Sequence, residues 1–274
     1  MNWRSIWAIA RKDLKEVRQN KAAWAPAIIV PLVFAVIMPL VFIILPQVIP
    51  VEDVQRELGD MDTLLRNMPP ALKAIFDSKS LEQMFVIYMA GFMLAPMFLI
   101  MPIMFSSVIG SDSFVGERER KTMEALLYAP TSDMELFLGK VLAAVLPAIG
   151  ISWLTYMVYA LVVNAASFPL FGGLWFPLAS WWPMMFWLTP ALAVLGISAT
   201  VLISSRVKTF MEAYQMSASL VVLVLALVFG QISGVLFLGV GTVLVIGTLV
   251  WAVDALLIYL SVSNFKRSSL VAKL

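Results

Sequence analysis

Met84-Phe-Val-Ile-Tyr-Met-Ala-Gly-Phe-Met-Leu-Ala-Pro-Met-Phe-Leu-Ile-Met-Pro-Ile-Met-Phe-Ser-Ser-Val-Ile109 carries no charged residue. The hydrocarbon core of a bilayer is about 30 Å thick and takes roughly 20 apolar residues of helix to cross, so this run reads as a transmembrane span. Five more runs qualify on the same ground: Trp24 to Pro46, Leu136 to Val162, Met184 to Ser204, Ala213 to Gln231 and Leu238 to Ser263. The last two share one apolar stretch, Met216 to Val262, interrupted by Asp254 alone, and the turn-forming Gln231-Ile-Ser-Gly234 is where it divides.

Composition points the same way. Of 274 residues, 61% are hydrophobic and 13% charged, with a mean hydropathy of +0.93. A soluble domain carries about a quarter charged residues, so the expectation is an all-α integral membrane protein of six transmembrane helices, folded as one domain over residues 1–274. The net charge of +2 is too small to point to nucleic acid. Cysteine and histidine are absent, which removes disulfides, thiolate and imidazole metal sites, cysteine nucleophiles and the commonest general base. A phosphate-binding loop is missing too. The single Gly-Lys pair, Gly139-Lys140, is followed by Val141 and has Met134 where the first glycine belongs. No catalytic residue, metal or cofactor is therefore assigned to this chain, and any work it performs draws on energy from elsewhere.

Lysine and arginine set the orientation. With the N-terminus inside, cytoplasmic segments hold six (Met1 to Lys21), four (Ser111 to Lys140), two (Arg206, Lys208) and three (Lys266, Arg267, Lys273) of the 19, leaving four in Val51 to Gln83. Both termini are thus expected in the cytoplasm, and residues 51–83 outside. Leu45-Pro-Gln-Val-Ile-Pro50 offers no small-residue cleavage site, so the first run reads as a retained span. Ahead of it, Trp3, Trp7, Ala10, Leu14 and Val17 recur at helical steps while Arg4, Arg11, Lys12, Lys15 and Arg18 fill other faces. Residues 1–21 therefore read as an amphipathic helix in the headgroup plane of the lipid bilayer.

In the outer segment, Val54, Leu58, Met61, Leu64, Leu65 and Met68 are spaced for a helix that Pro69-Pro70 ends, and Ser80-Leu-Glu-Gln83 is a capping box opening the second span. The second outer loop, Asn164 to Pro183, is uncharged and rich in Phe and Trp, which reads as an interfacial belt.

The cytoplasmic loop is the informative one. Glu117 to Lys121 and Arg120 to Glu124 are opposite-charge pairs at i,i+4, and a short helix here also presents Met123, Leu126 and Leu127 as an apolar patch. Ser132-Asp-Met-Glu135 is a second capping box, starting the third span. Physics alone leaves two readings open, a charged connector and a partner-docking helix.

Phe114-Val-Gly-Glu-Arg-Glu-Arg-Lys-Thr-Met-Glu-Ala-Leu-Leu-Tyr-Ala-Pro130, followed by Ser132 and Leu138-Gly-Lys140, resembles the segment after the second span of ABC-2 type transporter permeases. Charge, Thr122, Glu124, the paired leucines and Pro130 keep that family's spacing, with Met123 where leucine is common. The resemblance implies a permease subunit of an ATP-driven exporter in the cell (cytoplasmic, inner) membrane, paired with a second copy of itself as a homodimer. It also implies a separate cytoplasmic ABC ATPase subunit, which binds the ATP and magnesium and docks on a coupling helix. In the loop 111–135 that helix comprises Gly116, Glu117, Arg118, Glu119, Arg120, Thr122, Met123, Glu124, Leu126 and Leu127. The rival readings are a non-transporting scaffold or signalling subunit and, among transporters, a sodium-ion efflux permease.

Asp254 lies near the middle of the last span, where a lipid-exposed carboxylate costs on the order of 2.5 kcal/mol or more, so it should face the bundle interior, a dimer seam or a wet cavity. A structural role, bonded to Ser, Thr or Tyr of neighbouring spans, is favoured over a role in cation or proton passage. Met84, Met89, Met93, Met97, Met101 and Met104 place sulfur along one side of the second span, with packing the favoured role. Prolines 26, 31, 39, 96, 102, 147 and 190 should kink their spans.

Overall fold

The computed structural model describes residues 2–19, 29–48, 70–76, 78–122, 131–204 and 206–264, and among these there is no strand. The helices are α1 (Trp3–Gln19), α2 (Ile29–Val48), α3 (Pro70–Phe76), α4 (Leu81–Glu119), α5 (Asp133–Phe171), α6 (Trp181–Ser204), α7 (Phe210–Ile232) and α8 (Val240–Asn264). Six of them, α2 and α4 to α8, are long and apolar enough to cross a membrane.

The local start signals work as their chemistry requires. Ser80 and Gln83 exchange side-chain and backbone hydrogen bonds at 3.2 Å each, and Ser132 and Glu135 do so at 3.2 and 3.1 Å. Gly234, with φ of +70°, turns the chain between α7 and α8, where the apolar stretch was expected to divide. Pro70 differs from expectation: it is the first residue of α3 rather than only the end of a preceding helix, because at a first helical position its missing N–H costs nothing. The expected helix over Val54 to Met68 lies outside the described residues, as does Pro26.

Two spans run well past the expected lengths. At 39 residues each, α4 and α5 extend about 58 Å at 1.5 Å per residue, nearly twice the thickness of the hydrocarbon core. The helix expected inside the charged loop is, up to Glu119, the continuation of α4. Likewise α5 runs on through Asn164 to Phe171 and stops at Gly172, whose φ of +66° suits glycine. The aromatic segment after it divides in two. Phe168 and Trp182 lie exposed, as a belt requires, whereas Phe176 and Trp181 are buried with Phe98 and Tyr159, their rings 4.7 to 5.3 Å apart.

The centre of the bundle is α4. From Phe85 to Glu117 every residue is buried except Met93, Met97, Ile100 and Met104, which are half-buried and recur at steps of four, three and four. Met89 and Met101 are packed inside. Between Ile87 and Leu99 the helix passes through a wide π turn and then a tight 3₁₀ turn. Pro96 has no N–H to return to the preceding turn, and such freed carbonyls need partners inside a bilayer. Three other helices supply them. Tyr159 donates to Ala90 O at 2.5 Å, Trp181 to Gly91 O at 2.7 Å and Gln231 to Phe92 O at 2.5 Å. Pro39 and Pro190 also adjoin π turns, while Pro147 sits in continuous α-helix.

Further along, α4 meets α6 through small side chains. A Cβ on Gly196 would lie 2.2 Å from Ser106 Oγ and 3.0 Å from Ile103 O, and one on Gly110 would lie 2.4 Å from Ile197 Cδ1. Without a hydrophobic drive between helices in lipid, such close backbone approach supplies the packing energy.

Candidate functional site

At the end of α4 remote from Leu81, α1 lies across the start of α5. Ile6, Ile9 and Ala10 are buried there, and Gly139 makes the crossing possible, since a Cβ on it would lie 2.8 Å from Ile9 Cβ and 3.0 Å from Ile6 O. The N–H of Asn2 donates to Glu135, the capping residue of α5. The tryptophans expected on the apolar stripe of α1 point away from this contact, with Trp3 64% and Trp7 49% exposed.

Beneath α1 is a buried ionic network. The Lys140 ammonium, 0% exposed, donates to Glu117 Oε2 at 2.5 Å and to Ser113 O at 2.7 Å, and lies 3.4 Å from Asp13 Oδ2. Ser113 Oγ donates to Asp13 Oδ2 at 2.6 Å. Lys12 bonds the second oxygen of Glu117 and reaches Asp13 at 3.4 Å and Glu16 at 3.1 Å. Phe114 places its ring 5.6 Å from the Lys140 ammonium. Lys140 and Lys12 thus offset the two buried carboxylates, Asp13 and Glu117, while Glu16, the third acid, stays half-exposed at the rim. Burial alone would lower the affinity of Lys12 for its proton. The hydrogen bond and charge of Glu117, with Asp13 and Glu16, outweigh it and hold the ammonium above the ordinary lysine range. The carboxylates of Asp13, Glu16 and Glu117 lie close enough together to suit a metal ion, but both lysine ammoniums bond Glu117 and lie within 3.4 Å of Asp13, supplying the positive charge from the chain itself.

The remaining residues of the loop motif tie other helices to the same place. Gly116 leaves room for the Asp112–Arg120 ion pair at 2.8 Å, since a Cβ there would lie 2.8 Å from Asp112 Oδ1. Arg118 donates to Ser204 O at 3.1 Å and to Val207 O, satisfying carbonyls at the end of α6. Glu119 accepts the N–H of Phe210 at 2.8 Å and so caps α7. Thr122 Oγ1 returns to Glu117 O at 3.2 Å, and Lys121 adopts φ of +58° where the helix stops.

The expected surface pair of Glu117 with Lys121 is not formed. Glu117 is 1% exposed and its ion partners among the described residues are Lys12 and Lys140, because α4 stays helical long enough to carry it under α1. Glu119, Arg120, Lys121 and Thr122 form the exposed tip. Met123, Glu124, Leu126 and Leu127 lie outside the described residues. The lysine in Leu138-Gly-Lys140 and the acid Asp13 in line with Ile6 and Ile9 were missed as site residues; each is a charge on an otherwise apolar face, which is the signal that could have found them.

Asp254 does face inward, fully buried on the side of α8 packed against α6, but neither carboxylate oxygen has a hydrogen-bond partner among the described residues. The expected bonds to Ser, Thr or Tyr are absent there because residues 181–204 offer few hydroxyls, and Thr189, Ser204 and Thr200 turn theirs to backbone carbonyls of their own helix.

A family model described as ABC-2 family transporter protein matches residues 7–269, nearly the whole chain and all six spanning helices. Among curated proteins no sequence matches the chain closely enough to count as a relative. The match includes α1 from Trp7 onward, the ionic network and the motif at the end of α4, and the chain is a multi-pass membrane protein that belongs to the ABC-2 transporter family.

Proposed function

We propose that the chain is the permease subunit of an ATP-driven exporter of the cytoplasmic membrane, working as a pair of copies, each docking a separate cytoplasmic ATPase that holds the ATP and magnesium. The observation that carries this reading is the end of α4. A helix that crosses the membrane continues to an exposed tip at Glu119 to Thr122; Ser113, Glu117 and Arg118 just before it bond α1, α5 and the end of α6, and Glu119 of the tip itself bonds α7. A push on such a tip passes into four further helices, which is what a part driven from outside needs. The tip runs directly into Met123, Glu124, Leu126 and Leu127, the apolar and charged patch assigned to docking. Gly116 and Glu117 then serve docking from within, by holding the tip in place.

Between Phe85 and Glu117, the half-buried face of Met93, Met97, Ile100 and Met104 is what the described residues leave incompletely covered on the central helix, and we assign it to the substrate path. The permease supplies path and lever, and ATP hydrolysis belongs to the partner.

Glu124→Lys and Leu127→Ala should each abolish co-purification with the cognate ATPase and the ATPase stimulation that depends on the permease, while the permease itself remains folded. Retention of both activities in both variants would remove the docking assignment. Orientation has its own test. Because the chain has no cysteine, a single thiol introduced at Asp60 or Asp77 should react with an impermeant maleimide added outside, and one at Lys121 or Ser269 should not. The opposite labelling would place the docking loop on the wrong side of the membrane for an ATPase.

A further inference from the structure

Three faces follow one another around α1. At 100° per residue, the buried row Ile6, Ile9, Ala10 and Asp13 is succeeded roughly 90° further round by Trp3, Trp7 and Leu14, and about as far again by Arg4, Arg11 and Lys15. In the middle row both indoles are exposed and Leu14 is half-buried, and all three cations of the last row are exposed. The acids of the same helix are committed elsewhere: Asp13 to Lys140 and Ser113, and Glu16 to Lys12. What α1 turns outward beside its tryptophans is therefore positive without an acid among it. The described part of α2 starts at Ile29, ten residues after Gln19 of α1, so the row lies within reach of the bilayer surface that α2 enters.

We propose that this outer side of α1 is a binding site for anionic phospholipid, with headgroup phosphates on Arg4, Arg11 and Lys15 and the indoles of Trp3 and Trp7 at the boundary between headgroups and acyl chains. An acidic protein surface would match the cations, but nothing in it sets the indoles in a separate row a quarter-turn away, at a different depth from the charges. A bilayer surface matches both rows, since its phosphates and its acyl boundary lie at neighbouring depths. The packed face completes the arrangement, because α5 fixes the rotation of α1 about its own axis and so determines which row meets which depth.

The test uses the full chain in vesicles of phosphatidylcholine mixed with phosphatidylglycerol, with a fluorophore on a single thiol introduced at the exposed Ala8. Quenching by nitroxide-labelled phosphatidylglycerol should exceed quenching by equally labelled phosphatidylcholine, and inorganic phosphate should leave that preference unchanged. Arg4→Gln, Arg11→Gln and Lys15→Gln together should reduce the preference by on the order of 10- to 100-fold, as near-surface cations each favour anionic lipid. Trp3→Ala with Trp7→Ala should weaken contact with both lipids alike. These side chains are exposed, so thermal stability in detergent should match the parent and show that the variants fold. Equal quenching by the two lipids in the parent, or an undiminished preference in the triple variant, would overturn the proposal. So would displacement of the lipid by inorganic phosphate, which would indicate a free-anion site. Loss of ATPase binding in the triple variant with the lipid preference intact would assign the row to a protein partner and likewise overturn it.

Discussion

Replacing Lys140 with methionine should be among the most damaging single changes in the protein. The ammonium is fully buried, bonds Glu117, Asp13 and the carbonyl of Ser113, and is the link through which α5 holds both α1 and α4. Methionine fills the space but leaves two buried carboxylates facing Lys12 alone. Breaking a buried ion pair from one side costs about 3–5 kcal/mol, a large fraction of the 5–15 kcal/mol by which proteins are stable. The expected result is a sharp fall in the thermal midpoint of the detergent-solubilised protein and in its yield from membranes. Adding Glu117→Gln to Lys140→Met should restore part of the loss, because the pair is then removed from both sides, and a double-mutant cycle would read the coupling. A Lys140→Met protein as stable as the parent would mean that the network does not hold these helices together.

The second large effect belongs to the seam between α4 and α6. Gly196→Leu puts a side chain where even a Cβ would lie 2.2 Å from Ser106 Oγ and 3.0 Å from the carbonyl of Ile103. One of those contacts is backbone, so it cannot swing aside, and the helices must separate. Overpacking typically costs about 1–3 kcal/mol and more where backbone must move. Here it also disrupts the neighbouring crossing of Gly110 with Ile197. Gly150→Ala is the matched control, since no atom lies within 4 Å of a Cβ there and the added methyl only reaches the exposed surface of α5. Thermal unfolding of the two variants should therefore differ widely, with Gly150→Ala close to the parent. If Gly196→Leu unfolded with it, the close approach of α4 and α6 would be wrong.

Much of this architecture is legible in the sequence because it rests on local chemistry. Spans follow from runs of apolar residues, and their starts from Ser80 and Ser132 with a glutamine or glutamate three residues on. The turn at Gly234 follows from a residue free to adopt positive φ. Glu117 shows where that logic ends. Local spacing favoured Lys121 as its partner, four residues away. The partners it has, Lys140 and Lys12, are 23 and 105 residues distant and meet it only because α1 crosses α5 at Gly139. The lengths of α4 and α5 exceed what hydropathy implies for a related reason. Hydropathy marks where the hydrocarbon ends, whereas a helix continues as long as its backbone bonds are satisfied and its side chains find partners, as Arg118 and Glu119 do.

The distance in sequence between Asp13 and Lys140 has a consequence for biogenesis. The two are 127 residues apart, so at synthesis rates of roughly 5–20 residues per second about 6–25 s pass between their emergence. Throughout that interval Asp13 lacks its buried cation, and Ile6, Ile9 and Ala10 have no α5 to cover them. The N-terminal helix must wait, and on the lipid-binding proposal above the surface on which it can wait is the membrane already receiving α2, where its tryptophans and arginines would give it purchase. In the orientation that the lysines and arginines imply, Lys140 changes role in the same interval, from an exposed charge that helps to retain its loop on the side of synthesis to a dry strut inside the finished protein. Closure of the junction is thus a late event, following insertion of the second span and the first turns of the third, and a nascent chain halted before Lys140 holds an N-terminal helix whose packing partner does not yet exist.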